Sequence, residues 1–418
     1  MNSQNVSLVS NEIARPTATP QVLSKGLILL LGTAIGVIVA NIYYAQPLIA
    51  PISKSLGLDP AAAGLTVMFT QVGYGLGVLF LVPLADLIEN RKLILTMISI
   101  AIVAILGVAL STQLVAYFAS ALVLGLGAST VQVIVPYAAG LTPEASRGRV
   151  VGSLMSGLML GIMFSRPAAS ILTDLFSWHA VFFLSAGLMA VIAFALYTFV
   201  PAREPSSRGL RYRDLIGSMT QLIVRMPLLR RRAIYQAFMF GAFCLFWTAS
   251  PLLLGGPAFN MSQTGIAIFA IVGVAGAIVA PLAGRAADKG HRRIGTIVAL
   301  SSGILSFLMT HLFPLGSTAS LACLVLAAIL LDAGVTANLV IGQRAIFSLP
   351  SKYRSRINGL YIATIFIGGA FGSSVGAWAY SHGGWYLTSI VGLALPATAL
   401  VYFGSEWFTG FLRYRRHR

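Results

Sequence analysis

The sequence predicts an all-α membrane protein, with 12 transmembrane helices in two parallel six-helix repeats. Three observations predict it. Of 418 residues, 57% are hydrophobic and 9% are charged, with a mean hydropathy of +0.86. A water-soluble chain of this size carries roughly 25% charged residues. The apolar residues come in runs of about 20, enough for a helix to cross ~30 Å of hydrocarbon. Finally, the segment Val82 to Lys92 returns in altered form at Gly284 to Ile294, with Asp86 on Asp288 and Arg91 on Arg293. Gly152, Gly161 and Trp178 return likewise as Gly359, Gly368 and Trp385, in the same direction.

In chain order, residues 1–23 are polar and are expected to form a cytoplasmic tail. They lack an apolar core ending in a small-residue cleavage site, so the first span reads as an uncleaved helix. Spans are predicted over 24–47, 61–85, 92–111, 113–140, 150–173 and 179–200, giving a first bundle at 24–200. The polar, Arg-rich stretch 201–232 is a cytoplasmic linker. The second bundle, 233–408, has spans over 233–254, 263–286, 293–313, 318–346, 356–381 and 384–408, followed by a basic tail at 409–418. The repeat extends to the prolines near the outer ends of spans 1 and 7, Pro47 and Pro251. Glycines such as Gly73, Gly75 and Gly77 in span 2, or Gly368, Gly369, Gly372 and Gly376 in span 11, let helices approach closely and slide in lipid.

The net charge of +17 does not mark a nucleic-acid protein. With the N-terminus inside, every basic residue except Lys54 and Arg166 falls in a segment on the inner side. That bias predicts a multi-pass protein of a bacterial inner membrane with both termini cytoplasmic, attracted to anionic headgroups. The two cysteines, Cys244 and Cys323, lie in apolar spans and read as packed free thiols. His179, His311 and His382 fall near outer span ends, so no metal site is expected.

The loop after span 2 carries Asp86, Arg91 and Lys92, and the loop after span 8 carries Gly284, Asp288, Lys289, Gly290 and Arg293. Two such copies at repeat spacing resemble the loop motif of the major facilitator superfamily, and the likeness spans nearly the whole chain. It implies the fold of that family and a gate in which Asp86 docks at the start of span 11. In the first copy Val82 and Glu89 stand where the motif has glycine, and Leu87 where it has a basic residue. Span 5 resembles the antiporter motif of drug-exporting members through Gly152, Gly161 and a displaced Pro167, with Ser165 in place of a third glycine. In span 4, Ala121 and Leu124 occupy the family's arginine and glutamine positions, beside matching Gly125 and Gly127. The strings Asn41 to Leu48 and Leu331 to Gly334 resemble a bacterial subgroup of exporters. From the likeness, Asp86, Arg91, Lys92, Asp288, Arg293, Gly152, Gly161 and Pro167 are candidates for conformational gating.

Two charges lie well inside spans. Arg166 stands about 25 Å along span 5 from Arg149, toward the outer side, and Asp332 lies near the middle of span 10. A charge at helix centre costs about 2.5–3.5 kcal/mol on insertion scales, so a cavity or a partner is expected. Asp332 is the first candidate for proton coupling, because a carboxyl group can gain and lose a proton in the working range. Arg166, which stays charged, is its expected counter-ion or the holder of an anionic substrate. Asn41, Tyr44, Gln71, Tyr74, Gln132, Gln236, Trp247, Thr336, Asn338 and Gln343 are candidates for substrate binding on plausible cavity faces.

No G-x-x-x-x-G-K-S/T loop and no nucleophile–base constellation occurs, so neither a nucleotide-driven pump nor an enzyme is expected. The expected function is secondary active transport of a small organic solute by alternating access, as proton-coupled export. The energy source is the proton gradient, with no cofactor. The partners are a small-molecule substrate, protons and the lipid bilayer, and the protein is expected to be monomeric. A uniporter or anion exchanger using Arg166 is the alternative, and a non-transporting membrane sensor ranks lower.

Overall fold

A computed structural model describes residues 23–204, 211–350 and 353–416, with the backbone alone described at 274–278 and 406–416. The predicted N-terminal tail lies outside the described residues except for Leu23. The first half contains α1 (Lys25–Tyr43), α2 (Ile49–Leu56), α3 (Leu65–Phe80), α4 (Asn90–Leu110), α5 (Leu114–Ala128), α6 (Val131–Leu141), α7 (Glu144–Leu175) and α8 (Trp178–Phe199). After α9 (Tyr212–Arg225), the second half contains α10 (Pro227–Gly255), α11 (Gln263–Ala270), α12 (Ala275–Asp288), α13 (Arg292–Met309), α14 (Thr318–Ile346) and α15 (Arg354–Arg416). Among the described residues 10 helices are long and apolar enough to cross a membrane. The interrupted run α11–α12 and the second arm of α15 are consistent with the predicted twelve crossings.

Local chemistry sets the helix ends. Ser24, Ser177, Ser262 and Ser317 each accept a backbone N–H in the first turn of α1, α8, α11 and α14. Glu89 caps α4, accepting from Arg91 N at 2.7 Å and Lys92 N at 2.9 Å. Gly57, at φ 62°, ends α2 in the left-handed region that favours glycine.

The helices differ from the predicted spans where hydropathy is blind to the backbone. Span 4 divides into α5 and α6, where Ser129 and Thr130 bond back to Leu126 O and Gly127 O and compete with the helical ladder. Helix α7 starts at Glu144, six residues before its apolar run, because charged residues end a hydrophobic stretch without ending a helix. Spans 11 and 12 are the two arms of α15, broken only at Gly383 and Gly384. The predicted linker contains the amphipathic helix α9, with Leu215, Met219 and Leu222 buried on one face. Span 8 is broken: a 3-10 turn at Ile271–Val274 separates α11 from α12.

Packing follows the repeat. Residues Gly157 and Gly161 of α7 cross Gly32 and Gly36 of α1 so closely that a Cβ on either would overlap the facing backbone. In the second half Gly368 and Gly372 of α15 cross Ala237 and Gly241 of α10 in the same way. Small residues at such crossings permit backbone contact in lipid. Gly152 has nothing within 4 Å of its Cβ position, so this member of the predicted gating set makes no close approach. Large apolar side chains such as Val103, Val191, Phe194 and Val298 are exposed on the outer helix faces, as expected against lipid.

The halves meet along two seams. One is α3 on α15, from Gly64 just before α3 against Ser373, through Tyr74 tilted over Phe366 at 4.1 Å, to Val78 beside Gly359. The other is α7 on α11, where Thr264 donates to Asp174. The C-terminal part of α7 around Ser165–Ser170 is largely buried, while Arg147, Gly148, Arg149 and Gly152 toward its basic end are exposed.

Candidate transport site

The two interior charges predicted from sequence converge at the boundary between the halves. Arg166, on α7, is 2% exposed, and Asp332, on α14, is 4% exposed. The chain leaves α1 after Tyr43 in a series of tight turns that bring Gln46 under α7. There Gln46 Oε1 accepts from Arg166 Nε at 2.8 Å. The guanidinium lies over three rings, 4.4 Å from the Trp247 centroid, 5.1 Å from Phe243 and 5.2 Å from Tyr43. Such stacking stabilises a cation that has left water. Trp247, on α10, also donates from Nε1 to Asp332 Oδ1 at 2.9 Å. One indole therefore serves both charges, its face for Arg166 and its edge for Asp332.

The break in span 8 lies against this cluster. A Cβ built on Gly273 would stand 3.1 Å from Asp332 Oδ2 and 3.5 Å from Arg166 Nη1. The absence of a side chain there lets the two charges face each other across the turn, and their charges act on one another. Arg166, Gln46 and Tyr43 belong to the first half; Asp332, Trp247, Phe243 and Gly273 belong to the second. Buried charges interact strongly through low-dielectric protein, so relative motion of the halves changes the energy of both.

The donor side is incomplete. Arg166 Nη2 and Gln46 Nε2 are buried without a hydrogen-bond partner. A buried donor left unmade costs about 1–3 kcal/mol, which marks a place for an acceptor.

The remaining sequence candidates fall into separate groups. Gln71 lies on the α3–α15 seam, donating to Cys244 Sγ at 3.3 Å and accepting from Ser373 at 3.5 Å. Tyr74 accepts from Gln132 at 3.0 Å. Gln236 donates to Val335 O and accepts from Asn338 Nδ2 at 2.7 Å, tying α10 to α14. Asn41 donates to Val37 O and accepts from Ser185, within the first half. Tyr44 packs edge-on against Phe182. Thr336 is half-buried on α14. Gln343 is not at the charge cluster; it lines a groove at the basic end with Asp288, Arg292 and Arg344. Pro167 is buried within α7 beside Arg166. Sequence reading did not select Gln46, Tyr43, Phe243 and Gly273. Gln46 lay within the Asn41–Leu48 string, and Gly273 was one glycine among 42.

At the basic end Asp86 lies within reach of the charge of Arg356, at the start of α15. Arg356 in turn donates to Ser218 of α9 at 2.9 Å. Tyr212 of α9 donates to Phe80 O of α3 at 2.8 Å. Asp288 pairs with Arg344 at 3.1 Å, about half exposed on both sides, where such a pair contributes about 0–1 kcal/mol. Arg91 donates to Tyr197 O and covers the Tyr197 ring, rather than pairing with the Glu89 carboxylate, which is taken up by backbone N–H groups. Lys92 contributes its backbone N–H to that cap. Arg293, on the first turn of α13, is exposed. Asp86→Asn is expected to slow solute flux in proteoliposomes severalfold while the protein melts as wild type; wild-type rates would exclude a gating role.

A family model described as Major Facilitator Superfamily matches residues 29–345 and 258–412. The chain is 37% identical to the uncharacterized transporter YgaY of Escherichia coli O157:H7 over 391 residues, covering 94% of this chain and 97% of that one. It is 32% identical to the probable transporter SCO4007 of Streptomyces coelicolor, covering 85% and 82%. Among solved structures, it is similar to a bacterial homolog of the human lysosomal transporter Spinster in an inward-facing, unoccupied conformation. That match has a TM-score of 0.71 and 14% identity, covering 91% of this chain and 97% of that one.

Proposed function

The chain belongs to the major facilitator superfamily and is a multi-pass membrane transporter; on that premise we propose that it carries a small organic solute by alternating access, coupled to protons through Asp332. The observation that carries this reading is the division of one buried cluster between the halves, with Arg166 and Gln46 on one side and Asp332 and Trp247 on the other. Rocking of the halves changes the distance between the two charges. The cost of an ionised Asp332 changes with it, and a proton is taken up or released. No bound cofactor is required, because the gradient supplies the energy.

In this reading the protein is a monomer of a bacterial inner membrane with both termini and the linker cytoplasmic, an orientation that the one-sided distribution of basic residues supports. Export in exchange for protons is the sense that the exporter resemblance implies, and it requires solute and proton to compete for the site. One observation favours a second reading, in which Arg166 holds an anionic solute and the protein is a uniporter or anion exchanger. That observation is the pair of buried donors without an acceptor. Flux into proteoliposomes with and without an imposed pH gradient separates the two. A solute that stabilises the purified protein is expected to accumulate only with the gradient, and flux indifferent to it would overturn proton coupling.

A further inference from the structure

We infer that the buried cluster binds the carboxylate of an organic monoacid, with its oxygens on Arg166 Nη2 and Gln46 Nε2 and its apolar body among Tyr43, Phe243 and Trp247. This rests on the proton-coupled transport reading above, names the solute class, and replaces the exchange that the exporter resemblance implies with co-transport.

The argument begins with the guanidinium. Nε and Nη2 share one edge of its plane, the edge that matches a carboxylate with two parallel hydrogen bonds. Gln46 Oε1 occupies Nε on that edge, which leaves Nη2 open, with the Gln46 amide nitrogen beside it. Both open groups only donate. Both belong to residues at least 98% buried. A cationic solute could reach Asp332 but would face the Arg166 charge and leave both donors unfilled, and a neutral alcohol or amide would return at most part of the missing charge. A planar anion with two acceptor oxygens fits both donors. The three rings packed on the guanidinium carbon at 4.4–5.2 Å make the walls of the site aromatic, the chemistry that an aryl or alkyl body prefers.

Asp332 then opposes the solute. The groups facing it are Arg166 on α7, Trp247 on α10 and Tyr43 on α1. Ionised, it shares Arg166 with the bound carboxylate, and each weakens the hold of the other. Protonated, it leaves Arg166 to the solute. Solute and proton therefore load together and move in the same direction, rather than in exchange.

The test uses the full chain, purified in detergent, with benzoate, phenylacetate, 3-phenylpropanoate and hexanoate, each beside its amide and its amine. Binding is read by calorimetry and by the melting temperature. At least one acid is expected to bind saturably, with its amide and amine weaker by about tenfold or more, the loss of one charge-assisted hydrogen bond. Gln46→Glu turns one of the two open donors into an acceptor and gives Arg166 a carboxylate of its own. It is expected to abolish acid binding while melting at or above wild type, which separates loss of the site from loss of the fold. Asp332→Asn is expected to tighten acid binding. The inference is overturned if no acid binds, if the amides match the acids, or if Gln46→Glu still binds. An acid that binds but is not driven by a pH gradient sustains the site and sinks proton coupling. Gradient-driven flux of a neutral or cationic solute, with no acid bound, does the reverse.

Discussion

Asp332→Asn is expected to abolish uphill transport and to spare downhill exchange. With one proton per cycle, a gradient of one pH unit supplies about 1.4 kcal/mol, enough to concentrate solute about tenfold in the wild type. The variant is expected to bring solute only to equal concentration on both sides. The substitution isolates the proton from the architecture, because an asparagine oxygen can still accept from Trp247 Nε1, the partner at 2.9 Å in the wild type. It also removes the one carboxylate at the Arg166 cluster, so Arg166 no longer feels a partner whose charge varies. The measurement is steady-state accumulation in proteoliposomes at fixed inner pH and stepped outer pH. A variant that still concentrates solute would exclude Asp332 as the carrier and leave it only the role of positioning Trp247.

The second large effect is on folding. Gly372→Leu is expected to prevent recovery of folded protein, because even a Cβ at this position overlaps the Gly241 carbonyl of α10. The obstacle is backbone, which cannot turn aside as a flexible side chain can, so the two helices must separate along their crossing. Overpacking typically costs about 1–3 kcal/mol, and a main-chain collision across a long crossing belongs at or beyond the upper end. Gly161→Leu is expected to do the same in the first half, against Gly36. Gly152→Ala is the control: with open space at its Cβ it should melt within about 0.5 kcal/mol of wild type. Size-exclusion profiles and thermal melts in detergent read all three, and a well-folded Gly372→Leu protein would refute the crossing.

These substitutions show where the sequence could and could not be read. Hydropathy exposes spans because lipid demands apolar faces, and it exposes Asp332 and Arg166 because charge in such a span is costly. It does not see Ser129 and Thr130 dividing span 4, or Ile271–Val274 breaking span 8, since a backbone break changes no hydropathy. A face pattern also says nothing of depth. Gln343 shares a helical stripe with Asp332 but stands about 16 Å further along α14, at the basic end. Gln46 and Arg166 are 120 residues apart and meet only through the α1–α7 crossing. The antiporter-type motif gave Gly152 and Gly161 equal standing, and only the neighbours of each distinguish them.

The helix α9 has a mechanical consequence. It is fastened to α3 through Tyr212 and to α15 through Ser218 and Arg356, at the basic end of the seam that joins the halves. A connector tied to both sides of a seam fixes where the two bodies can part. In any rotation, displacement grows with distance from the axis. Pinning this corner makes it the fulcrum, and the travel falls to ends that stand free, such as the exposed first turns of α7. In the proposed cycle, the connector thereby sets the leverage with which a small change at one buried carboxyl group opens a passage for the solute.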